Sequence, residues 1–114
     1  MAIKYLNQLR SLFQKVELTG IDNIKFEFEH FFSGAAVYAN GKIFATLSPA
    51  GFALKLSKPH IDSLLESKEN KRLLYFPNSR VKKDYVVLSD NILNNTESLG
   101  SLIRTSIEFV AEPS

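Results

Sequence analysis

The chain contains no cysteine, which excludes a disulfide framework, thiol chemistry and a cysteine-bound zinc site. Stability without cross-links fits a reducing compartment, and a cytoplasmic location is expected. Glycine is also scarce. The five glycines form neither G-x-G-x-x-G nor a phosphate-cradling P-loop, and no G-x-S-x-G elbow occurs. No window approaches the ~20 consecutive apolar residues that a membrane span requires. The opening stretch MAIKYLNQLRSLFQKV interrupts its apolar residues with Lys4, Gln8, Arg10 and Lys15, so it lacks the apolar run of a signal peptide. The glycosylation triplet Asn94-Asn95-Thr96 is accordingly read as a chance match.

The chain does hold the material for a core. Hydrophobic residues make up 45% of it, with nine Phe and four Tyr among 114 residues. A chain of this length is one domain, 1–114, able to bury roughly two-thirds of its unfolded surface. Disorder is expected only at the last residues, 112–114. No linker, internal repeat or low-complexity segment is visible.

Ile3, Leu6, Leu9, Phe13 and Val16 recur every three or four positions, which predicts an amphipathic helix over 3–17, ended by Thr19-Gly20. The period then changes to two. Ile24, Phe26 and Phe28 alternate with Lys25, Glu27 and Glu29, which reads as a strand with one dry and one wet face. Next, Asn40-Gly41 lies between two apolar-rich stretches, the strongest short signal for a type I′ hairpin. A two-residue loop there sets Ala39 opposite Lys42, Tyr38 opposite Ile43 and Val37 opposite Phe44. Both faces of the hairpin are then apolar at its centre, and such a sheet needs cover on both sides.

Ser48-Pro49-Ala50-Gly51 reads as a turn into a fourth strand carrying Phe52, Leu54 and Leu56. Ser57 is placed to cap a short helix with Pro59 in its first turn. Two more short strands are expected at Leu73–Phe76 and Tyr85–Leu88, joined by a basic loop. Ser89-Asp90 opens a helical turn, and a last helix is expected over Thr96–Ala111 with Leu99, Leu102, Ile103, Ile107 and Val110 inward. The first four strands are joined by turns too short for crossover helices. The expected fold is therefore α+β, a mainly antiparallel sheet of five to six strands with flanking helices.

Phe32, Gly34, Tyr38, Gly41, Phe44, Ala45 and Lys55 together resemble the signature of the TfoX N-terminal domain family. The likeness runs from about Ile24 to Val110. Phe31-Phe32-Ser33-Gly34 resembles the family's Met-Phe-Gly-Gly segment, with Ser33 in place of a usual glycine. Gly41-Lys42-Ile43-Phe44-Ala45 is similar to its Gly-Lys-Met-Phe-Ala strand, and Val81–Leu88 to its later strand containing a tyrosine, here Tyr85. Leu99, Leu102 and Ser106 fall in matching places. The resemblance implies a secretion-chaperone-like fold, many examples of which are dimers. It also implies a role near transcription, since members include competence regulators that act as co-activators with a cyclic-AMP-responsive factor. Those members usually carry a second, helical domain, whereas the present residues read as a single domain. YjbR-like proteins share the Gly-Lys-x-Phe-Ala strand and are the nearest rival.

The functional expectations divide by chemistry. Net charge is +2, yet Lys68, Lys71, Arg72, Arg80, Lys82 and Lys83 crowd one window opposed only by Glu69. Of these, Lys71, Arg72, Arg80, Lys82 and Lys83, with Tyr75, Phe76 and Tyr85 nearby for stacking, form a candidate nucleic-acid or partner contact. The simpler account is a solvated loop whose charges deter edge-to-edge pairing. His30 lies on the dry parity of its strand and is read as a buried or edge histidine; His60 is read as exposed in a helix's first turn. Two such histidines make a poor metal site, and Glu27 and Glu29 are read as a solubilising pair rather than a glycosidase dyad. The chain is therefore read as a non-enzymatic module without cofactor, a homodimer that binds a protein partner. A nucleic-acid-associated regulator is the alternative, and a small-molecule pocket beneath Tyr38 and Tyr85 a third.

Overall fold

The computed structural model describes residues 3–16, 24–31, 34–73 and 82–111. Helix α1 (Ile3–Lys15) precedes strands β1 (Phe26–Phe31), β2 (Gly34–Ala39), β3 (Lys42–Ser48) and β4 (Gly51–Lys55). Helix α2 (Lys58–Leu65) leads to β5 (Lys71–Leu73) and β6 (Lys82–Val87), and the short α3 (Asp90–Leu93) and long α4 (Thr96–Ala111) complete the fold. The six strands form one sheet in the order β1-β2-β3-β4-β6-β5, and every neighbouring pair is antiparallel. The fold is α+β, as the alternation of periods in the sequence indicated.

The β2–β3 turn takes the expected form. Asn40 and Gly41 both adopt positive φ, 50° and 83°, as a type I′ turn requires. Asn40 also ties the turn to β1: its side-chain oxygen accepts from the Lys25 amide at 2.8 Å, and its own amide donates to the Lys25 carbonyl at 2.9 Å.

The register departs from expectation one step further in. Ala39 and Tyr38 face Lys42 and Ile43, but Val37 faces Ala45 and not Phe44, because a bulge lies between Val37 and Tyr38. The cause is visible in the parity of the apolar residues. Phe44 is in step with Tyr38–Ile43 counting from the turn, whereas Ala45 and Leu47 are one residue out of phase. A single unbroken register would bury Phe44 and expel Leu47, and one extra residue on β3 lets both point inward. The side chains of Phe44 and Ala45 are both fully buried.

Three helices meet the sheet on one side. Leu9 of α1, Ile61 of α2 and Leu99, Ile103 and Ile107 of α4 form one core with Val37, Phe44, Ala45, Phe52, Leu54 and Val86. At the bulge, the buried Ser106 hydroxyl of α4 donates to the Lys55 carbonyl at 2.6 Å, and the Phe44 carbonyl stands 3.3 Å away on the same proton. Asn70 fastens the other end. Its side-chain Nδ2 donates to the Leu64 carbonyl, and its Oδ1 accepts from the Ser89 backbone amide, both at 2.9 Å.

Several expected boundaries shift. β5 (Lys71–Leu73) starts two residues before the expected Leu73–Phe76, and residues 74–76 of that expectation fall outside the described residues. β6 starts at Lys82, which puts Lys82 and Lys83 on a strand where a loop was expected. Pairing with both β4 and β5 fixes this placement: Val86 faces Leu54 on one side and Arg72 on the other. Ser57 stands at the N-cap of α2 as expected but makes no side-chain cap bond; its hydroxyl instead meets His60 Nδ1 at 2.8 Å.

Candidate functional site

Strand register sorts the side chains onto two faces. Phe26, Phe28, Val37, Ala45, Leu54 and Val86 point to the helices. The alternate residues point away, and across the sheet they form two rows. One row runs Glu29, Ala36, Thr46, Ala53, Val87 and Lys71, and the other holds Glu27, Tyr38 and Ile43 at one end and Lys55 and Tyr85 at the other.

Most of the family-signature residues gather around these rows. Tyr38, Lys55 and Tyr85 are half-buried on the far face, with Lys55 directly opposite Tyr85. Tyr38 lies on β2 and Tyr85 on β6, with two strands between, a span of roughly 14 Å from ordinary strand spacing. A single small molecule is thus poorly placed to sit beneath both. Gly34 and Gly41 serve the backbone, Phe44 fills the bulge, and Phe32 lies outside the described residues.

The floor of the far face is small and dry. Ala36, Thr46 and Ala53 are each at most 1% exposed, and the Thr46 hydroxyl has no hydrogen-bond partner among the described residues. A buried hydroxyl without a partner costs about 1–3 kcal/mol in desolvation, and an isosteric methyl removes that cost. The Thr46→Val variant is therefore expected to melt higher, by about 4 °C per kcal/mol gained. Calorimetry checks this, and a lower melting temperature would mean that the hydroxyl has a partner in solution.

The basic candidates are partly brought together. Lys71 and Arg72 are exposed on the edge strand β5, and Lys82 on β6 stands opposite Leu73, with Lys83 next to it. Arg80 lies outside the described residues. However, the fold adds to Glu69 a second acid from outside that window, Asp90. Lys71 lines a recess of about 490 Å³ together with Glu69 and Asp90, and the Glu69 carboxylate accepts from Asn91 Nδ2 at 2.8 and 3.1 Å. Local charge around Lys71 is mixed, which weakens the attraction for phosphate there.

The histidines remain separate. His30 is exposed on the edge strand β1 opposite Ala35, and His60 is exposed at the start of α2. Among the described residues no group of three or more His, Asp or Glu is placed to hold a metal ion. Glu27 and Glu29 are exposed on the far side of β1. Among the described residues, no helix is long and apolar enough to cross a membrane.

One feature escaped the sequence reading. Phe13 of α1 meets Phe28 edge-on at 5.6 Å and Phe26 at 6.3 Å, and the Arg10 guanidinium lies 5.9 Å from the Phe28 ring centre. Arg10, Phe13, Gln14, Phe26 and Phe28 line an open trough of about 360 Å³ along β1, and its three aromatic rings are only half-buried. The signal was available in part: both elements are amphipathic, and Phe13, Phe26 and Phe28 lie on their apolar parities. Which helix lies on which strand, though, is a tertiary fact.

Compared with known families, residues 20–110 match the model described as the TfoX N-terminal domain. No curated protein and no solved structure matches the chain. Helix α1 precedes the matched region, so the trough joins an element inside the family domain to one outside it.

Proposed function

The chain belongs to the TfoX N-terminal domain family, and from that premise we propose that it is a non-enzymatic protein-interaction module acting in transcription or competence regulation. The observation that carries this reading is the surface of half-buried aromatic rings at the α1–β1 trough. Soluble monomers rarely leave contiguous apolar patches without a use. A cytoplasmic homodimer belongs to the same proposal, formed through the far sheet face around Tyr38 and Ile43, which are half-buried and apolar. Light scattering on the purified protein reads the assembly directly, and a monomer at all concentrations removes the dimer.

The decisive experiment is co-purification of the tagged protein from its own cells, with and without nuclease. A protein partner retained after nuclease treatment is the expected result. Material recovered only without nuclease would overturn it in favour of nucleic-acid association. That second reading draws on the pairing of β5 with β6, which puts Lys82 opposite Leu73, the residue after Lys71 and Arg72. It requires affinity that falls steeply with salt and a loss on removing the charges of Lys71, Arg72, Arg80, Lys82 and Lys83. The acidic neighbours of Lys71 make this the weaker reading.

A further inference from the structure

The sheet ends in two unlike edges. The edge strand β5 carries the exposed Lys71 and Arg72, charges that discourage pairing with another strand. β1 is six residues long, FEFEHF, with neither lysine nor proline in it, and among the described residues no strand pairs with its outer side. Its outward amide and carbonyl groups lie beside the half-buried rings of the trough. An extended segment added there would gain main-chain hydrogen bonds and an apolar seat together.

The residues of β1 also specify what would fit. Phe26 and Phe28 point to the trough side, and Glu27 and Glu29 are exposed on the other face. An added strand places its own residues directly opposite, alternating between the same two faces. The complementary sequence is therefore apolar at one parity and basic at the other. A second copy of this chain fits poorly. Antiparallel two-fold pairing centred on Phe28 sets Glu27 against Glu29 twice; centring on Glu27 sets that residue against itself, and Lys25, which would then face Glu29, lies before the first residue of β1. Like charges directly opposite destabilise the pair.

We propose that the outer edge of β1 and the trough beside it dock an extended segment of a different protein in which Lys or Arg alternates with apolar residues. This deepens the interaction-module reading by naming the surface and the chemistry of its partner. Apolar side chains of the segment lie against Phe26, Phe28 and Phe13, its basic side chains pair with Glu27 and Glu29, and Arg10 closes the trough over Phe28.

The test uses the whole chain and a labelled peptide, Lys-Val-Lys-Val-Lys-Val-Lys, followed by fluorescence anisotropy. Saturable binding is expected, with none to the peptide that has Glu in place of Lys. The double variant Glu27→Lys and Glu29→Lys changes only exposed side chains, and circular dichroism confirms its fold. It should lose affinity for the basic peptide by about tenfold or more and gain affinity for the acidic one. Methylating alternate peptide amides should abolish binding at unchanged charge, because an edge strand needs those donors. Equal binding by the methylated peptide, or by the charge-reversed variant, would overturn the proposal in favour of non-specific attraction. Self-association that the peptide displaces, and that Glu27→Lys alone strengthens by setting Lys against Glu29, would overturn it in favour of a second copy. Partners that co-purify equally with wild type and double variant would remove this edge while leaving the interaction module standing. Peptide binding with no cellular partner would do the reverse.

Discussion

Gly34→Ala is expected to destabilise the protein by about 3 kcal/mol, the upper end of what overpacking costs. A β-carbon at this position would collide with the Leu47 carbonyl oxygen and come within 3.0 Å of the Ser48 Cα and Cβ. These obstacles are mainly backbone, so no side chain can swing aside. β3 also cannot retreat, because its other side is paired with β4 through Leu47–Phe52 and Ser48–Gly51. On the opposite flank Gly34 faces Phe31 of β1. The strand is held between two partners at a spacing only glycine permits. Gly41→Ala is the control. It meets nothing within 4 Å, and its φ of 83° imposes only backbone strain, about 1–2 kcal/mol. Urea denaturation of the two variants separates the effects, and equal midpoints would refute the steric account. For a domain whose whole stability is about 5–15 kcal/mol, the Gly34 variant should also give less folded protein at 37 °C.

The second large effect is expected at Phe44. Its side chain is fully buried at the bulge, with Phe13 at 5.9 Å in an edge-on arrangement and Phe26 at 6.2 Å. Truncation to alanine should cost about 3–5 kcal/mol, from lost transfer energy plus the cavity left among rings that cannot all collapse inward. Phe44→Leu keeps most of the volume and should cost only about 1.5 kcal/mol. The contacts with Phe13 predict more than burial alone. In a double-mutant cycle, Phe13→Ala and Phe44→Ala together should fall short of their summed costs by about 1 kcal/mol. Strict additivity would show that the two rings contribute through area alone. Since Phe13 also lines the trough, the cycle reports on how firmly α1 is held against β1.

Both effects sit on features that the order of residues conveys unevenly. Local order was sufficient wherever one element decides its own conformation. The threefold-to-fourfold spacing of Leu6, Leu9 and Phe13 made α1, and the twofold alternation from Ile24 to Phe28 made β1. Asn40-Gly41 fixed a turn that needs two positive φ angles. Ser89 accepts from the Ile92 amide at the head of α3, and α4 spans Thr96–Ala111 as its apolar spacing required. The family signature was legible for the same reason, since Gly41, Phe44 and Ala45 are contiguous around one hairpin.

Tertiary structure decided everything that depends on two elements meeting. The bulge at Val37/Tyr38 arises because β3 must deliver Phe44 and Leu47 to the same core, a demand set by α1 and by β1, not by the hairpin. The insertion of β6 between β4 and β5 moved Lys82 and Lys83 from a loop to a strand and brought Asp90 toward Lys71. Ser106 met two carbonyls far from it in sequence only once α4 had crossed the bulge. The trough of Phe13, Phe26 and Phe28 likewise needs a helix laid along an edge strand. A hydrophobic pattern tells each segment which face to bury, because burial is local in period. It does not tell the segment against what, because burial energy is non-directional and any apolar surface satisfies it.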